Sequence, residues 1–166
     1  NAEIVLANNQ RLLVCSSPTG PAFEGAQISA GQRATIGAIE RVRIDRDTLE
    51  PRFKCIGSEL WSDEPSFAET LSDPGVTGIC GSGIIEVVAE MYLAGIVSTD
   101  GVVDGALEGQ TSRIKKDGRT WSYVLHEADS PETSDVVITQ TDVRQIQLAK
   151  AALYAGIRLL MDEMGV

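Results

Sequence analysis

Residues 75–85 read Gly-Val-Thr-Gly-Ile-Cys-Gly-Ser-Gly-Ile-Ile and place four glycines just before an apolar stretch with helical spacing. A glycine loop that opens a helix suits an anion, because the free N–H groups of the first turn carry roughly half a positive charge. The spacing matches neither the dinucleotide fingerprint nor a Walker A loop, since no lysine follows Gly83. Two interpretations follow: a phosphate-binding loop, or a tight turn capped by Ser82.

Working outward from this loop, the apolar spacing predicts a helix over 83–94 that ends at Gly95, and a second, longer helix over 143–164 that ends at Gly165. Thr139, Thr141 and Asp142 are the candidate caps of the second helix, and we assign them no chemistry. Short apolar runs over 3–7 and 11–16 flank Asn8-Asn9-Gln10 and predict a β-hairpin. Similar runs predict a second strand pair over 38–45 and 53–56, and two more short strands over 121–127 and 136–139. We read 23–28 as about one helical turn and the polar segment 57–74 as a surface excursion. The predicted fold class is α/β: one unit with a mixed sheet and packed helices.

Composition favours an ordinary globular protein. The 166 residues are 43% hydrophobic and 23% charged, which is enough for one stable core, and no run is long enough to span a membrane. The net charge of −10 repels a phosphate backbone and argues against nucleic-acid binding. No leader sequence is recognisable, so we expect a cytoplasmic protein with no membrane partner. The strand pattern begins at once without a starting Met, which suggests a piece of a longer chain.

The cysteines and the single histidine predict no metal centre. Cys15, Cys55 and Cys80 are far apart, and only His126 offers an imidazole. Free thiols fit a reducing compartment. Cys80 is either a reactive thiolate at a helix N-terminus or a small buried side chain in a crowded turn.

Aromatic residues in otherwise polar segments have two interpretations. Trp61, Phe67 and Trp121 serve either protein contact or a satellite core.

Five stretches together resemble one family. They are Asn-Ala-Glu-Ile-Val-Leu from residue 1, Cys-Ser-Ser-Pro-Thr-Gly-Pro-Ala-Phe-Glu-Gly from 15, Gly-Ile-Cys-Gly-Ser-Gly-Ile-Ile-Glu from 78, Ile-Thr-Gln-Thr-Asp-Val-Arg from 138, and Ala-Lys-Ala-Ala-Leu-Tyr-Ala-Gly-Ile-Arg from 149. In this order they resemble the C-terminal domain of the reductive activators of corrinoid proteins. That domain belongs to the superfamily of sugar kinases, heat-shock chaperones and actin (ASKHA), so the resemblance implies a partial ASKHA subdomain over residues 1–166.

The resemblance implies an energy-coupling role. In such proteins a 2Fe-2S cluster in a separate N-terminal domain passes an electron to an inactive Co(II) corrinoid, and Mg-ATP in the C-terminal domain makes the uphill step to Co(I) feasible for methyl transfer. The implied partner is a corrinoid protein or a corrinoid-dependent methyltransferase, and a homodimer is also an expectation. No cluster ligands occur here. An Asp-Ile-Gly-Thr hairpin and an Ala-Gly-Gly-Phe-Gly loop, typical of the family, are missing, so isolated ATPase activity is not expected.

The nucleotide candidates are Gly78, Gly81, Ser82 and Gly83. The resemblance implies that Ser82 and the backbone of Gly81 and Gly83 face phosphate or ribose at the helix N-terminus. The alternative is a plain helix cap.

The partner candidates are Ser16, Ser17 and Glu24. Either serine is a candidate contact for the corrinoid, against the alternative of an ordinary turn. Glu24 is a candidate for positioning water or a metal ion, against the alternative of a solvated carboxylate.

Three function classes remain open. The first is the ATP-binding half-domain of a corrinoid activator, and the second is a docking module for the corrinoid partner with no catalysis of its own. The third is an unrelated small-molecule enzyme, which the lack of a Ser-His-Asp or Cys-His constellation disfavours.

Overall fold

A computed structural model describes residues 1–128, 131 and 133–166. Its mixed helices and strands confirm the predicted α/β class. The strands are β1 (Ala2–Ala7), β2 (Leu12–Ser17), β3 (Ala38–Ile44), β4 (Pro51–Cys55), β5 (Gly78–Ile79), β6 (Ile114–Asp117), β7 (Thr120–His126) and β8 (Val136–Ile138). The helices are α1 (Phe67–Thr70), α2 (Gly81–Leu93) and α3 (Gln140–Met164), with 3-10 turns at Ala22–Glu24 and Gly105–Gly109.

The first two strands form the predicted antiparallel hairpin. Asn8 closes it, because its side-chain oxygen accepts the N–H groups of Gln10 and Arg11 at 2.8 and 2.9 Å. One face of the hairpin packs on α3, where Gly156 leaves room for the side chains of Ile4 and Cys15. The opposite face is solvent-exposed and carries the large apolar side chains of Val5, Leu12 and Val14.

The central sheet has the order β4-β3-β5. The predicted pair of β3 with β4 forms and is antiparallel. Strand β5, which was not predicted, adds to β3 in parallel. A two-residue strand that begins with glycine shows no alternation to detect. The buried core lies between this sheet and α2, with Ile39, Val42, Ile79, Ile84 and Val87 all almost fully buried.

Helix α2 covers the part of β3 that lies beyond β5. Glu86 accepts the Val42 N–H at 2.7 Å, and Glu90, one turn later, accepts the Ile44 N–H at 3.1 Å. Glu86 also pairs with Arg41 and Arg43. Burial acts to raise the pKa of Glu86, but the bonds from Arg43, Val42 and Arg41 bring its pKa below the ordinary value. Carboxylates therefore satisfy backbone donors that a further strand would otherwise take.

The predicted surface excursion over 57–74 is only partly correct. It contains α1, whose Phe67 is 9% exposed and meets Phe53 edge-on with ring centroids 5.8 Å apart. Two interpretations were open for the aromatic residues, protein contact or a satellite core. Phe67 agrees with the second, because it is buried in the core. Trp61 is half-buried and lies 4.8 Å from the Arg52 guanidinium.

The third sheet has the order β6-β7-β8 and includes the two strands predicted around Pro131. The prediction missed β6, which follows the 3-10 turn. Tyr123 joins this sheet to the central one, since its buried hydroxyl donates to the Leu49 carbonyl at 2.9 Å. Burial raises the pKa of Tyr123.

Helix α3 begins with a capping box. The cap is Thr139, whose hydroxyl accepts the Asp142 N–H, while the Asp142 carboxylate accepts the Thr139 N–H. Thr141, another predicted cap, lies inside the first turn. Gly165 ends the helix with φ +79°, as predicted. Within the part of the chain that the structure describes, no helix is both long and apolar enough to cross a membrane.

Replacing Glu86 by Gln is expected to lower the free energy of unfolding at pH 7 by about 1.5–3 kcal/mol, the range for hydrogen bonds to charged groups. Because the folded-state pKa of Glu86 is lowered, its contribution is present above the ordinary value of 4.5 and is lost as the pH falls below it. Urea denaturation at pH 7 and at lower pH measures this difference.

The matched control is Glu127→Gln, which removes an exposed pair with Lys115 and is expected to change stability by less than about 1 kcal/mol. Equal losses for both variants at pH 7 would contradict the special role of Glu86.

Candidate functional site

The glycine segment spans the junction between β5 and α2. Gly78 lies in β5, Cys80 is the N-cap of α2, and Gly81 is its first residue. The helix thus begins two residues earlier than predicted. Ser82 is not the cap: it is the second helical residue, its side chain is exposed, and its Oγ lies 3.3 Å from the Cys80 Sγ.

Close backbone packing explains the glycines of this segment. A Cβ on Gly81 would overlap the Phe23 carbonyl oxygen, and one on Gly83 would overlap the Ile39 carbonyl oxygen. A Cβ on Gly78 would lie 2.7 Å from the Ala30 carbonyl oxygen. The α-carbons of these glycines therefore face other protein segments. In this segment the Ser82 side chain is exposed, and the N–H groups of the first turn have no partner within the helix.

A wall of residues 22–32 lies against this segment. Its 3-10 turn ends at Gly25, which has φ +85° and sits against the backbone of Gln32. Ile79 N–H donates to the Ala30 carbonyl, and Gln32 N–H donates to the Ile79 carbonyl, both at 2.9 Å. The sequence predicts about one helical turn over 23–28, and the structure has the 3-10 turn Ala22–Glu24 there. The pairing with β5 was not predicted, because it involves isolated residues rather than a strand.

Glu24 is brought to the start of α2. Its backbone nitrogen lies 4.0 Å from the Cβ position of Gly81, and its side chain is exposed. The structure therefore places Glu24 beside the nucleotide candidates, although the sequence analysis grouped it with the two serines.

The two serines at the end of β2 differ in exposure. Ser16 is exposed on the outward face of the hairpin. Ser17 is 2% exposed, and its hydroxyl donates to the Ala152 carbonyl of α3 at 2.6 Å. Only Ser16 presents its side chain to solvent, while Ser17 joins the hairpin to α3.

The cysteines near the site are buried. Cys80 is 2% exposed, and its Sγ lies 3.3 Å from the Ile39 carbonyl oxygen, in agreement with the interpretation as a small buried side chain. Burial raises the pKa of Cys55 to about 12 and keeps it a thiol. Among the described residues, no cluster of three or more His, Cys, Asp or Glu side chains is arranged to hold a metal ion.

The cleft beside the wall is small. Its volume is about 220 Å³, and its lining includes Ser29, Gln32 and Thr77. Ligand pockets typically have about 300–1,000 Å³. None of the nucleotide candidates lines this cleft. At the start of α2 the groups present are a helix N-terminus, an exposed hydroxyl and a nearby glutamate, a set that suits a phosphate.

The comparisons with known proteins agree with one another. The family described as the C-terminal domain of RACo, the ASKHA domain, matches residues 1–166. The corrinoid activation enzyme RamQ of Eubacterium limosum is 31% identical over all of this chain and 26% of its own length. A solved reductive activator for corrinoid, iron-sulfur protein is 34% identical with a TM-score of 0.80, over 99% of this chain and 24% of its own. The chain thus spans about a quarter of the length of either relative.

Gly81→Ala is expected to destabilise the protein by about 1–3 kcal/mol, because the added methyl group meets the Phe23 carbonyl and overpacks the contact. Thermal and urea unfolding measure the loss.

The control is Gly109→Ala, where a Cβ would meet nothing within 4 Å, so a change within about 0.5 kcal/mol is expected. If Gly81→Ala were as well tolerated as the control, close packing would not explain this glycine.

Proposed function

The chain belongs to the family of RACo C-terminal ASKHA domains, and on that premise we propose that it is part of the ATP-binding, energy-coupling domain of a corrinoid activator. The full protein would reduce a Co(II) corrinoid protein to Co(I) and so restore it for methyl transfer. The observation that carries the proposal is the family match over the whole chain. It is supported by the names of the two relatives, a corrinoid activation enzyme and a reductive activator.

Electron transfer belongs to another part of such a protein in this proposal. The relatives are about four times as long as this chain, which leaves ample sequence for a separate 2Fe-2S domain. The role left to residues 1–166 is to bind nucleotide and to respond to it.

The start of α2 is the proposed phosphate contact. Its first-turn N–H groups point out of the helix and favour negative charge, and the exposed Ser82 hydroxyl adds a donor. Glu24, beside Gly81, would hold Mg²⁺ or orient a water through its carboxylate. ATP, when bound, supplies through its hydrolysis the free energy for the uphill reduction. Because this chain spans about a quarter of the length of its relatives, the proposal includes further segments of the full protein that complete the site.

A second candidate is a docking module for the corrinoid protein. The exposed Ser16 favours it, because this side chain continues the outward hairpin face that carries Val5 and Val14. Exposed apolar faces of this kind are typical of protein contact surfaces. The two functions are compatible within one activator.

Ser82→Ala is expected to weaken binding of a Mg-ATP analogue about tenfold, because one hydrogen bond to a charged phosphate is lost. Glu24→Gln is expected to weaken binding only when Mg²⁺ is present. Calorimetric titration of the full-length activator and of this chain alone measures both effects.

Ser72→Ala, on the exposed loop before β5, is the control and should leave affinity unchanged. If the full-length protein binds the analogue equally well in all three variants, the site lies elsewhere. If it binds no nucleotide at all, the proposed function is wrong.

Ser16→Ala is expected to weaken binding of the Co(II) corrinoid protein and to leave stability unchanged, because the side chain is exposed. Ser17→Ala is the matched control: it loses the bond to Ala152 and should lower stability by about 1 kcal/mol without a direct effect on binding. Titration with the corrinoid protein, paired with thermal unfolding, separates the two. Unchanged affinity in Ser16→Ala would argue against docking through this residue.

A further inference from the structure

Asp142 is a buried carboxylate with more partners than a helix cap requires. It is 1% exposed. One oxygen, Oδ2, accepts the N–H and the hydroxyl of Thr139, both at 2.8 Å, which completes the capping box. The other oxygen, Oδ1, accepts the N–H of Ser29 at 2.8 Å and the Ser29 hydroxyl at 3.1 Å. The second pair reaches a segment 113 residues away in the chain.

Ser29 opens the stretch that pairs with β5. The next residue, Ala30, accepts the Ile79 N–H, and Gln32 donates its own N–H to Ile79. The Gln32 side chain also donates to the Thr77 hydroxyl at 2.9 Å. A continuous set of hydrogen bonds thus runs from Asp142 through residues 29–32 to β5, directly before the first turn of α2.

Glycine contacts make this connection tight. The Gly31 Cα lies against the Gly25 carbonyl, so the turn that carries Phe23 and Glu24 is held by the same stretch. The same 3-10 turn also lies against Gly81. We therefore expect the position of Ser29 to affect where Glu24 lies relative to the start of α2.

We propose that Asp142 is a positioning residue of the candidate nucleotide site, because it fixes residues 29–32 and the adjoining turn to the N-terminus of α3. Hydrogen bonds to a carboxylate are roughly twice as strong as neutral ones, and this carboxylate faces four donors. Asn cannot replace it, because its amide NH₂ would point at donors. The nucleotide part of this inference rests on the proposed function, whereas the positioning part does not.

Residue-resolved amide hydrogen exchange tests the positioning role in this chain. In Asp142→Asn, exchange at the amides of Gln32 and Ile79 is expected to accelerate at least about tenfold relative to the slowest core amides, which corresponds to about 1.4 kcal/mol of local opening. The Val42 amide is bonded to Glu86. The ratio of its exchange rate to that of the slowest core amides should not change.

Asp104→Asn is the matched control, because Asp104 also caps a turn, through the Ala106 N–H at 2.9 Å, but contacts a different segment. This variant should leave the exchange rates of the Gln32 and Ile79 amides unchanged. A uniform acceleration of all amides in Asp142→Asn, or none at Gln32 and Ile79, would overturn the inference.

Ser29→Ala provides the test if Asp142→Asn does not fold, since it leaves the Thr139 cap intact and removes the hydroxyl bond to Asp142 at 3.1 Å. The Ser29 N–H bond to Asp142 stays, so the expected acceleration is smaller than in Asp142→Asn. Selective acceleration at the same two amides supports the inference, and its absence overturns it.

Nucleotide is tested separately, by adding Mg-ATP analogue to the full-length activator and recording protection of the Ser82 and Gly83 amides. No protection in the wild type would refute the proposed function while leaving the exchange result on Asp142 valid. Protection that Asp142→Asn retains in full would refute the link between positioning and nucleotide binding.

Discussion

The bonds between the carboxylates of α2 and the backbone of β3 organise the centre of this protein. Glu86 and Glu90 are one helical turn apart, and Val42 and Ile44 are two residues apart on a strand, so each acid meets one outward N–H. The match fixes the rotation and the height of the helix over the sheet. Arg41 and Arg43 neutralise Glu86 there, which limits the cost of placing its charge against a core.

The geometry of the candidate site follows from this placement. In this placement the first turn of α2 packs directly against the Ile39 backbone of β3. A side chain at position 83 would overlap the Ile39 carbonyl oxygen, so only glycine fits there. The turn that carries Glu24 then packs on Gly81, and Asp142 secures the intervening residues from the side of α3. Helix α2, β5 and residues 22–32 thus form one connected unit. The exposed side chains of Ser82 and Glu24 lie on its surface.

The sequence predicted the elements with strong periodicity and missed those that depend on distant partners. The hairpin, the β3–β4 pair and both long helices follow from apolar spacing, and the family resemblance is confirmed by the comparisons. No local sequence pattern marks β5, residues 22–32 or the interaction of Ser29 with Asp142. Each of them depends on a contact between residues that are far apart in the sequence. The proximity of Glu24 to Gly81 and the burial of Ser17 were likewise invisible to spacing alone.

The exposed apolar faces give the acidic composition a physical role. Val5, Leu12 and Val14 lie on the hairpin, and Leu148, Tyr154 and Leu159 lie on α3, all more than half exposed. At neutral pH the net charge of −10 makes copies of the chain repel one another before these faces meet. Close to the isoelectric point of about 4.5 that repulsion vanishes. Electrostatic repulsion therefore opposes self-association of the isolated chain at neutral pH, and we expect its solubility minimum close to the isoelectric point.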